Sequence, residues 1–377
     1  MAKHIHIVAF DVPYPPTYGG IIDLYFQLKA FHQTGVKVTY HCFYYEGNNP
    51  PTERLKLYAD KVYYYHRKKH VGKLVMNKLP FVVATRNDNN LLKNLLEDQS
   101  PIIFSGLQSC YFLNHPNLKK RLKIVRTHNI EHLYYKGLAA VERNKLKKQY
   151  FLWEAKKLEK FECELNHAQA ILSIAKMDLA HFSQYAPTHH SPPYFRFKSR
   201  KNNFDETPLY GLFQGNLSVG ENINTVKFIV DHIVPKTKHH IVIAGKNPSD
   251  ELVNLCSAHD NLQLIANPEQ EKMNELIENA QVNLLFTSQQ TGIKLKLLHA
   301  LAIGKHIIIN DKMDDEGLFK PLCHIENDPE KIEQTFEKLM STYFSEDRFK
   351  SRQELFKATF DNSRNAKDTL HLLESLE

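Results

Sequence analysis

Short apolar runs alternate with amphipathic segments along most of the chain. The first run, "KHIHIVAFDV", predicts a β-strand, and the following "GGIIDLYFQLKAFHQTG" has apolar residues at helical spacing and a glycine at its end. The alternation continues to "KMDLAHFSQY" and resumes at "PLYGLFQG". Continuous apolar strands that alternate with helices are typical of parallel sheets covered on both faces.

One segment interrupts this alternation. Residues 186–208 contain four prolines, many polar residues and little periodicity, which is typical of a connection between domains. We therefore expect an α/β protein with two Rossmann-like domains that face each other across a cleft. The predicted boundaries are 1–190 and 205–345, with a helical C-terminal tail at 346–377. The pattern also predicts one long helix over roughly 137–166 and another over 292–303.

Composition narrows the class of protein. The chain has 377 residues, of which 42% are hydrophobic and 24% charged, as expected for a soluble globular protein. No apolar run has the length of a membrane span, and the N-terminus lacks a signal-peptide core. Five scattered cysteines without a CxxC pair argue for a reducing compartment and against a disulfide framework or a zinc site. The predicted location is cytoplasmic, with no metal.

The net charge of +7 is concentrated in a few basic runs. In residues 143–161 lysines are interrupted by aromatic side chains, so this run could be a solvated helix face or could touch the anionic inner face of a membrane. The solvated face is the commoner case. Nucleic-acid binding is not expected, because no recognised module accompanies the basic runs.

Polar residues at strand ends are the candidates for chemistry, because open parallel sheets bind ligands there. Gly19 and Gly20 follow the first strand, where they either form a tight turn or bring backbone N–H groups to an anion. In "THNIEH", His128 could act as a base that Glu131 polarises, or Asn129 could simply cap a helix.

The second half of the chain has three further strand ends that contain glycine. Gly215 and Asn216 lie in "FQGNLSVGENINT", and Lys246 lies in "IAGKNPSDE". The third is "TSQQTGIKLKLLHALAIGKHIIIN", residues 287–310. Because such ends converge on one wall of a cleft, together they predict a site for nucleotide phosphates.

Four stretches carry a resemblance to a known family over nearly the whole chain. They are "PYPPTYGGIIDLYFQLKAFHQTGVKV", "LKIVRTHNIEHLYYKGLA", "FQGNLSVGENINTV" and "TGIKLKLLHALAIGKHIIIN". The sequence resembles GT-B glycosyltransferases of the family 4 kind, and most closely the bacterial branch often labelled mannosyltransferase.

The resemblance implies that the C-terminal domain binds a nucleotide-sugar. Thr291 and Gly292 would present backbone N–H groups to its diphosphate, and Lys294 would supply charge to the leaving group. Lys296 would lie about 200° around the same helix, so we assign the role to Lys294. The wider predicted donor set is Gly215, Asn216, Lys246, Gln290, Ile293 and His299.

The N-terminal domain would bind the acceptor. Gly19 and Gly20 would reach over the donor phosphates, and His128 would lie near the transferred sugar. The sequence departs from the family at two positions, because Thr291 and His299 stand where many members carry two glutamates eight residues apart. The first glutamate usually contacts the donor sugar and the second the ribose. Gln290 or its neighbour Gln289 could take over the sugar contacts, and His299 could reach a ribose hydroxyl.

The expected activity is retaining transfer of a hexose, with mannose favoured, from GDP-mannose or a UDP-sugar to a glycan or a lipid-linked acceptor. The resemblance implies no cofactor and no metal. The lost glutamates leave an alternative open: a catalytically degenerate GT-B protein that binds sugars or nucleotides, or serves as a partner subunit.

Overall fold

The computed structural model describes residues 3–16, 19–45, 50–68, 78–196, 204 and 209–377 of the chain. These residues form two sheets whose strand pairs are all parallel. The predicted architecture of two Rossmann-like domains is thereby confirmed.

The N-terminal sheet has the strand order β3-β2-β1-β4-β5-β6-β7. Its strands are β1 His4–Ala9, β2 Lys37–Tyr44, β3 Lys61–His66, β4 Ile102–Ser105, β5 Lys123–Thr127, β6 Ala170–Ser173 and β7 Thr188–His190. β1 pairs with β2 on one side and with β4 on the other. The direction in which successive strands join the sheet therefore reverses between β1 and β4, and this reversal point lies at the carboxyl end of β1. Open α/β sheets bind their ligands at such a reversal point.

The C-terminal sheet has the order β10-β9-β8-β11-β12-β13 and reverses in the same way between β8 and β11. Its strands are β8 Tyr210–Asn216, β9 His240–Lys246, β10 Leu262–Ala266, β11 Val282–Leu285, β12 His306–Ile309 and β13 His324–Ile325.

Helices cover both faces of each sheet. In the N-terminal half they are α1 Gly19–Gln33, α2 Phe81–Ala84, α3 Asn89–Leu95, α4 Glu131–Val141, α5 Lys145–Phe161 and α6 Leu179–Phe182. In the C-terminal half they are α7 Gly220–His232, α8 Asp250–Ser257, α9 Gln270–Asn279, α10 Leu295–Ile303, α11 Pro329–Met340, α12 Glu346–Thr359 and α13 Asn362–Leu376. Each sheet has a buried apolar cluster on either face, which explains its continuous apolar strands.

The single helix predicted over 137–166 is wrong. The chain forms α4 and α5 instead, because the Asn144 side chain accepts hydrogen bonds from the N–H groups of Leu146 and Lys147 and starts a new helix.

The helix predicted over 292–303 begins only at Leu295. Gly292 has a left-handed φ of 67°, and Lys294 is the extended residue that precedes the helix. Lys296 lies in this helix and Lys294 does not, so the predicted 200° angle between them around a common helix axis is wrong.

Residues 197–203 and 205–208 of the predicted connection at 186–208 lie outside the described residues, and Thr188–His190 near its start form the edge strand β7. The C-terminal tail is helical, as predicted. Phe356 of α12 packs into the C-terminal core, whereas Leu370 and Leu373 of α13 pack into the core that contains α1. The exact domain boundaries stay a prediction.

The basic helix α5 supplies part of the N-terminal core. Leu158 and Phe161 are buried in it, and Phe151 packs against Tyr135. Lys157 is also buried and lies 3.5 Å above the Trp153 ring. Among the described helices, none is both long and apolar enough to cross a membrane.

Candidate functional site

The carboxyl ends of β5 and β11 meet at the boundary between the two domains. The β5 loop (128–130) and the β11 loop (286–294) touch, since the Ile130 N–H donates to the Thr291 Oγ1 at 2.6 Å. Gly292 approaches so closely that a Cβ there would collide with the β5 loop. Two regions that the sequence singled out thus form one continuous site.

A buried ionic network positions His128. Its Nε2 lies 2.9 Å from Oδ2 of Asp23, which also accepts a hydrogen bond from Arg126. The other oxygen, Oδ1, accepts one hydrogen bond from Arg126 and one from the Tyr194 N–H. Burial alone would raise the pKa of Asp23, but Arg126 and His128 hold that pKa well below its usual range. The Nδ1 atom of His128 is buried and has no hydrogen-bond partner within the described residues.

Glu131 does not polarise His128, as the sequence suggested it could, because Asp23 occupies the Nε2 side of the ring. Glu131 is buried at the first position of α4. Burial raises its pKa to about 7, and Glu162 adds to this, against opposing hydrogen bonds from Gln108 and Asn129. Glu131 is therefore a buried acid behind the β5 loop.

The N-terminal domain already supplies an anion to the β11 loop. One carboxylate oxygen of Asp178 accepts hydrogen bonds from the Thr291 hydroxyl at 2.9 Å and from the Gly292 N–H at 3.0 Å. The predicted geometry, in which Gly292 points its N–H at a phosphate, is therefore not the observed one. Thr291, at one of the glutamate positions, ties the two domains together instead.

A second carboxylate makes the reciprocal contact. Asp315, from the C-terminal domain, accepts hydrogen bonds from the N–H groups of Lys176 and Met177, both at 2.8 Å. Asp178 and Asp315 are 1% and 2% exposed. Burial raises the pKa of Asp178 to about 6 despite its hydrogen bonds, and Asp315 raises that pKa further. We call these paired contacts the carboxylate clasp.

Two lysines lie just behind the clasp. Lys294 Nζ donates to the Thr291 carbonyl oxygen at 2.7 Å, and Lys296 Nζ donates to Asn222 Oδ1 at 3.2 Å while lying 5.0 Å from the centre of the Phe213 ring. Burial lowers the pKa of both lysines, that of Lys296 to about 8. Neither ammonium is within ion-pair distance of a carboxylate among the described residues.

Glu221 is a site residue that the sequence did not single out. Its side chain accepts hydrogen bonds from the Thr287 hydroxyl and from the N–H groups of Ser288 and Gln289, and so orders the start of the β11 loop. Its charge also opposes the lowering of both lysine pKa values. Its place in the first turn of α7, just after a strand end, was the available signal.

The remaining predicted donor residues lie around this loop. Asn216 and Lys246 are register partners at the ends of β8 and β9, and both are exposed. Asn216 Oδ1 accepts from the N–H of Ser218 at 3.1 Å, so it organises a turn. A Cβ on Gly215 would lie 2.9 Å from the Asn222 side chain, which explains the glycine there.

The other predicted residues of the β11 loop and α10 differ in exposure. Gln290 is exposed, Ile293 packs against the C-terminal core, and His299 is half-buried in α10. Gln289 faces the N-terminal domain, where its Cγ would lie 3.7 Å from a Cβ on Gly137.

The N-terminus of α1 completes the site. A Cβ on Gly20 would lie 2.7 Å from the Phe10 ring, and one on Gly19 would lie 4.0 Å from Leu295. Residues 17–18 of this loop lie outside the described residues. The N-termini of α1 and α10 therefore approach each other from opposite domains, and both carry partial positive charge.

Comparisons with known proteins agree with this architecture. Residues 209–342 match the family model described as Glycosyl transferases group 1. The chain is 26% identical, over 84% of both sequences, to an uncharacterized 44.6 kDa protein in the cps region of Klebsiella pneumoniae. Residues 209–342 are therefore similar to group 1 glycosyl transferases, and the whole chain has the GT-B fold.

Solved structures align with this chain over nearly its full length. Sucrose-phosphate synthase from Thermosynechococcus elongatus aligns with a TM-score of 0.71 and 12% identity, over 99% of this chain and 98% of that one. TarM aligns with a TM-score of 0.68 and 10% identity, over 99% of each chain. At such identities the likeness concerns the fold.

Proposed function

We propose that the protein transfers a hexose, with mannose favoured, from a nucleotide-sugar to a glycan or lipid-linked acceptor with retention of configuration. The observation that carries this proposal is the meeting of two helix N-termini and two half-buried lysines, Lys294 and Lys296, at the domain boundary. Partial positive charge and fixed cations stabilise a departing diphosphate most effectively in a site that excludes water. The donor would be GDP-mannose or a UDP-sugar, and its site would need no metal or cofactor.

Each side of the boundary has its own role in this proposal. Lys294 leaves the Thr291 carbonyl and neutralises charge on the leaving diphosphate. His128, oriented by Asp23, offers Nδ1 to a hydroxyl of the transferred sugar. Thr291 has no carboxylate to contribute, so the sugar contacts fall to polar side chains such as Gln289 and Gln290.

Relatives support the ligand class. A TarM mutant from S. aureus was solved with fondaparinux, alpha-GlcNAc-glycerol and UDP, and an E. coli neighbour was solved with UDP-2-fluoro glucose. The cps-region relative supports a bacterial polysaccharide as the product class. A cytoplasmic site of action, with α5 touching an anionic membrane face, would suit a lipid-linked acceptor. Co-sedimentation with anionic and neutral vesicles tests that contact.

One observation favours a second candidate, a non-catalytic GT-B subunit. The Gly292 N–H and the Thr291 hydroxyl are already satisfied by Asp178, and neither family glutamate is present. Such a protein would bind nucleotide-sugars without turnover.

Thermal shift with GDP-, UDP- and dTDP-sugars, followed by assay of nucleotide release, separates the two candidates. A ligand that binds the native state raises its stability by RT ln(1 + [L]/Kd), so the correct nucleotide should stand out. Stabilisation with acceptor-dependent release supports the transferase. Stabilisation without release supports the subunit, and no stabilisation by any of the donors contradicts both.

A further inference from the structure

Three ligand-type side chains converge away from the β11 loop. They are His132 in α4, Glu162 just after α5, and His181 in α6. His132 Nδ1 lies 2.8 Å from one oxygen of Glu162, and His181 Nε2 lies 2.9 Å from the other. The potential ligand atoms of all three residues lie within 4.8 Å of one another. The scattered cysteines gave no hint of this cluster, which contains none.

The negative charge of Glu162 is buried and must be compensated within the cluster. The Glu162 side chain is 1% exposed and that of His132 is 7% exposed, whereas the His181 side chain is 22% exposed. A buried carboxylate needs strong compensation. Two imidazole N–H groups supply part of it, but a divalent cation between the same atoms supplies more and accepts neutral imidazoles as ligands.

The imidazole nitrogen that does not face Glu162 also has suitable surroundings in both histidines. A histidine that binds a metal through one nitrogen usually donates the other N–H to a carboxylate, a carbonyl or water. When His132 Nδ1 coordinates the ion, the imidazole proton moves to Nε2, which lies 3.8 Å from a Glu159 oxygen and faces that negative charge. The His181 side chain is 22% exposed, so its Nδ1–H can donate to water when Nε2 coordinates the ion.

We propose that His132, Glu162 and His181 bind a divalent transition-metal ion of the Zn²⁺ type. Two imidazoles and one carboxylate form a three-residue zinc set, and the exposed edge of His181 leaves a coordination position open to water. Imidazole ligands disfavour Mg²⁺ and Ca²⁺, which prefer oxygen. On binding, each imidazole nitrogen that faces Glu162 gives up its hydrogen bond and coordinates the ion.

The location assigns this ion a structural role. His132 follows the β5 loop, and His181 lies three residues after Asp178 of the carboxylate clasp. A bound ion therefore fixes two segments of the N-terminal domain that contact the β11 loop. This inference is independent of the proposed transferase activity.

A second histidine cluster in the molecule serves as the matched control. His4, His6 and Asp98 also lie close together, but His6 Nδ1 is bonded to His41 at 2.9 Å. The Arg121 guanidinium lies 3.2 Å from Asp98 and already neutralises it. We expect no tight metal binding there.

The test is titration of the chelator-treated full chain with Zn²⁺ by calorimetry, together with Co²⁺ absorption spectroscopy. We expect one tight equivalent, a rise in melting temperature and visible Co²⁺ bands of a nitrogen–oxygen site. His132→Asn, His181→Asn and Glu162→Gln should each weaken that equivalent by more than about tenfold. His4→Asn should leave it unchanged.

Weak binding of several ions would contradict the proposed site. The chain has 21 histidines, so weak binding of several equivalents is expected of any such surface. If only that weak binding occurs, or if the tight equivalent persists in His181→Asn, the site is wrong. Should a variant fail to fold, the Co²⁺ spectrum of the parent protein still decides whether two imidazoles and an oxygen ligate the ion.

Discussion

Two buried carboxylates on either side of the site differ in a way that explains how each side is held. Asp23 and Asp178 are both 1% exposed. Asp23 faces the Arg126 guanidinium, which lowers its pKa, whereas Asp178 faces neutral donors and Asp315, so that burial raises its pKa. The His128 side is thus held by a charge pair within one domain. Thr291 and Gly292 of the β11 loop are held by contacts with Asp178 that exist only while the domains touch.

The largest expected effect comes from removing the Asp23 charge. Asp23→Asn leaves Arg126 buried without its counter-ion, and breaking a buried pair in this way typically costs about 3–5 kcal/mol. Chemical denaturation at pH 7 measures the loss. The control is Asp231→Asn, on the exposed face of α7, which should change stability by no more than about 0.5 kcal/mol. A loss in Asp23→Asn as small as in the control would show that the network does not stabilise the fold.

On the opposite side, Lys294→Ala tests the proposed chemistry. If the lysine stabilises the leaving diphosphate, kcat/KM should fall by about 10²–10³ while the fold is retained. The exposed Lys331 of α11 provides the comparison, and Lys331→Ala should have a much smaller effect. An unchanged kcat/KM in Lys294→Ala would remove the lysine from the mechanism.

Asp178→Asn should have the opposite sign to Asp23→Asn. Because the pKa of Asp178 rises from 3.8 unfolded to about 6 folded, its contribution to stability is lost as pH rises through that range. Asparagine keeps an acceptor oxygen without the ionisation cost. We expect the variant to match the parent at pH 4 and to exceed it at pH 7 by on the order of 1–3 kcal/mol. Denaturation at both pH values measures this, and equal stability at pH 7 would contradict the assigned pKa.

The smallest expected effect concerns His128 itself. His128→Asn should lower kcat by about tenfold to a hundredfold, because it removes a hydroxyl contact, and should leave nucleotide affinity nearly unchanged. Initial-rate kinetics and nucleotide titration separate the two quantities. Lost nucleotide binding with normal turnover at saturation would place His128 on the donor side.

The sequence predicted the two sheets and singled out residues of the β5 and β11 loops, but it did not predict the contacts that hold these loops together. Continuous apolar strands leave few alternatives to covered parallel sheets, so that part followed from local pattern. Asp23 lies in an amphipathic helix, where an acidic residue normally faces solvent, and its partner Arg126 is 103 residues away. Asp178 and Thr291 are likewise far apart in sequence, so only the assembled fold reveals their contact.

The start of α10 was predicted wrongly for a different reason. Apolar periodicity continues through Ile293, so the pattern alone extends the helix to residue 292. Gly292 has a left-handed φ, which interrupts the helical backbone, and a side chain there would also collide with the β5 loop of the other domain. The residues around Gly292 in the sequence do not indicate that the β5 loop packs against it.

The return of α13 to the N-terminal domain has a consequence for synthesis on the ribosome. Leu370 and Leu373 complete the apolar core around α1, and the Asn365 side chain bonds to Ser191 at 2.9 Å. Domains generally fold in order as they emerge, but this one lacks a core helix until the C-terminal domain has also been made. We therefore expect nascent chains that end before residue 362 to expose the apolar side chains of α1 that α13 covers in the full chain. The domain translated first is then the last to be finished.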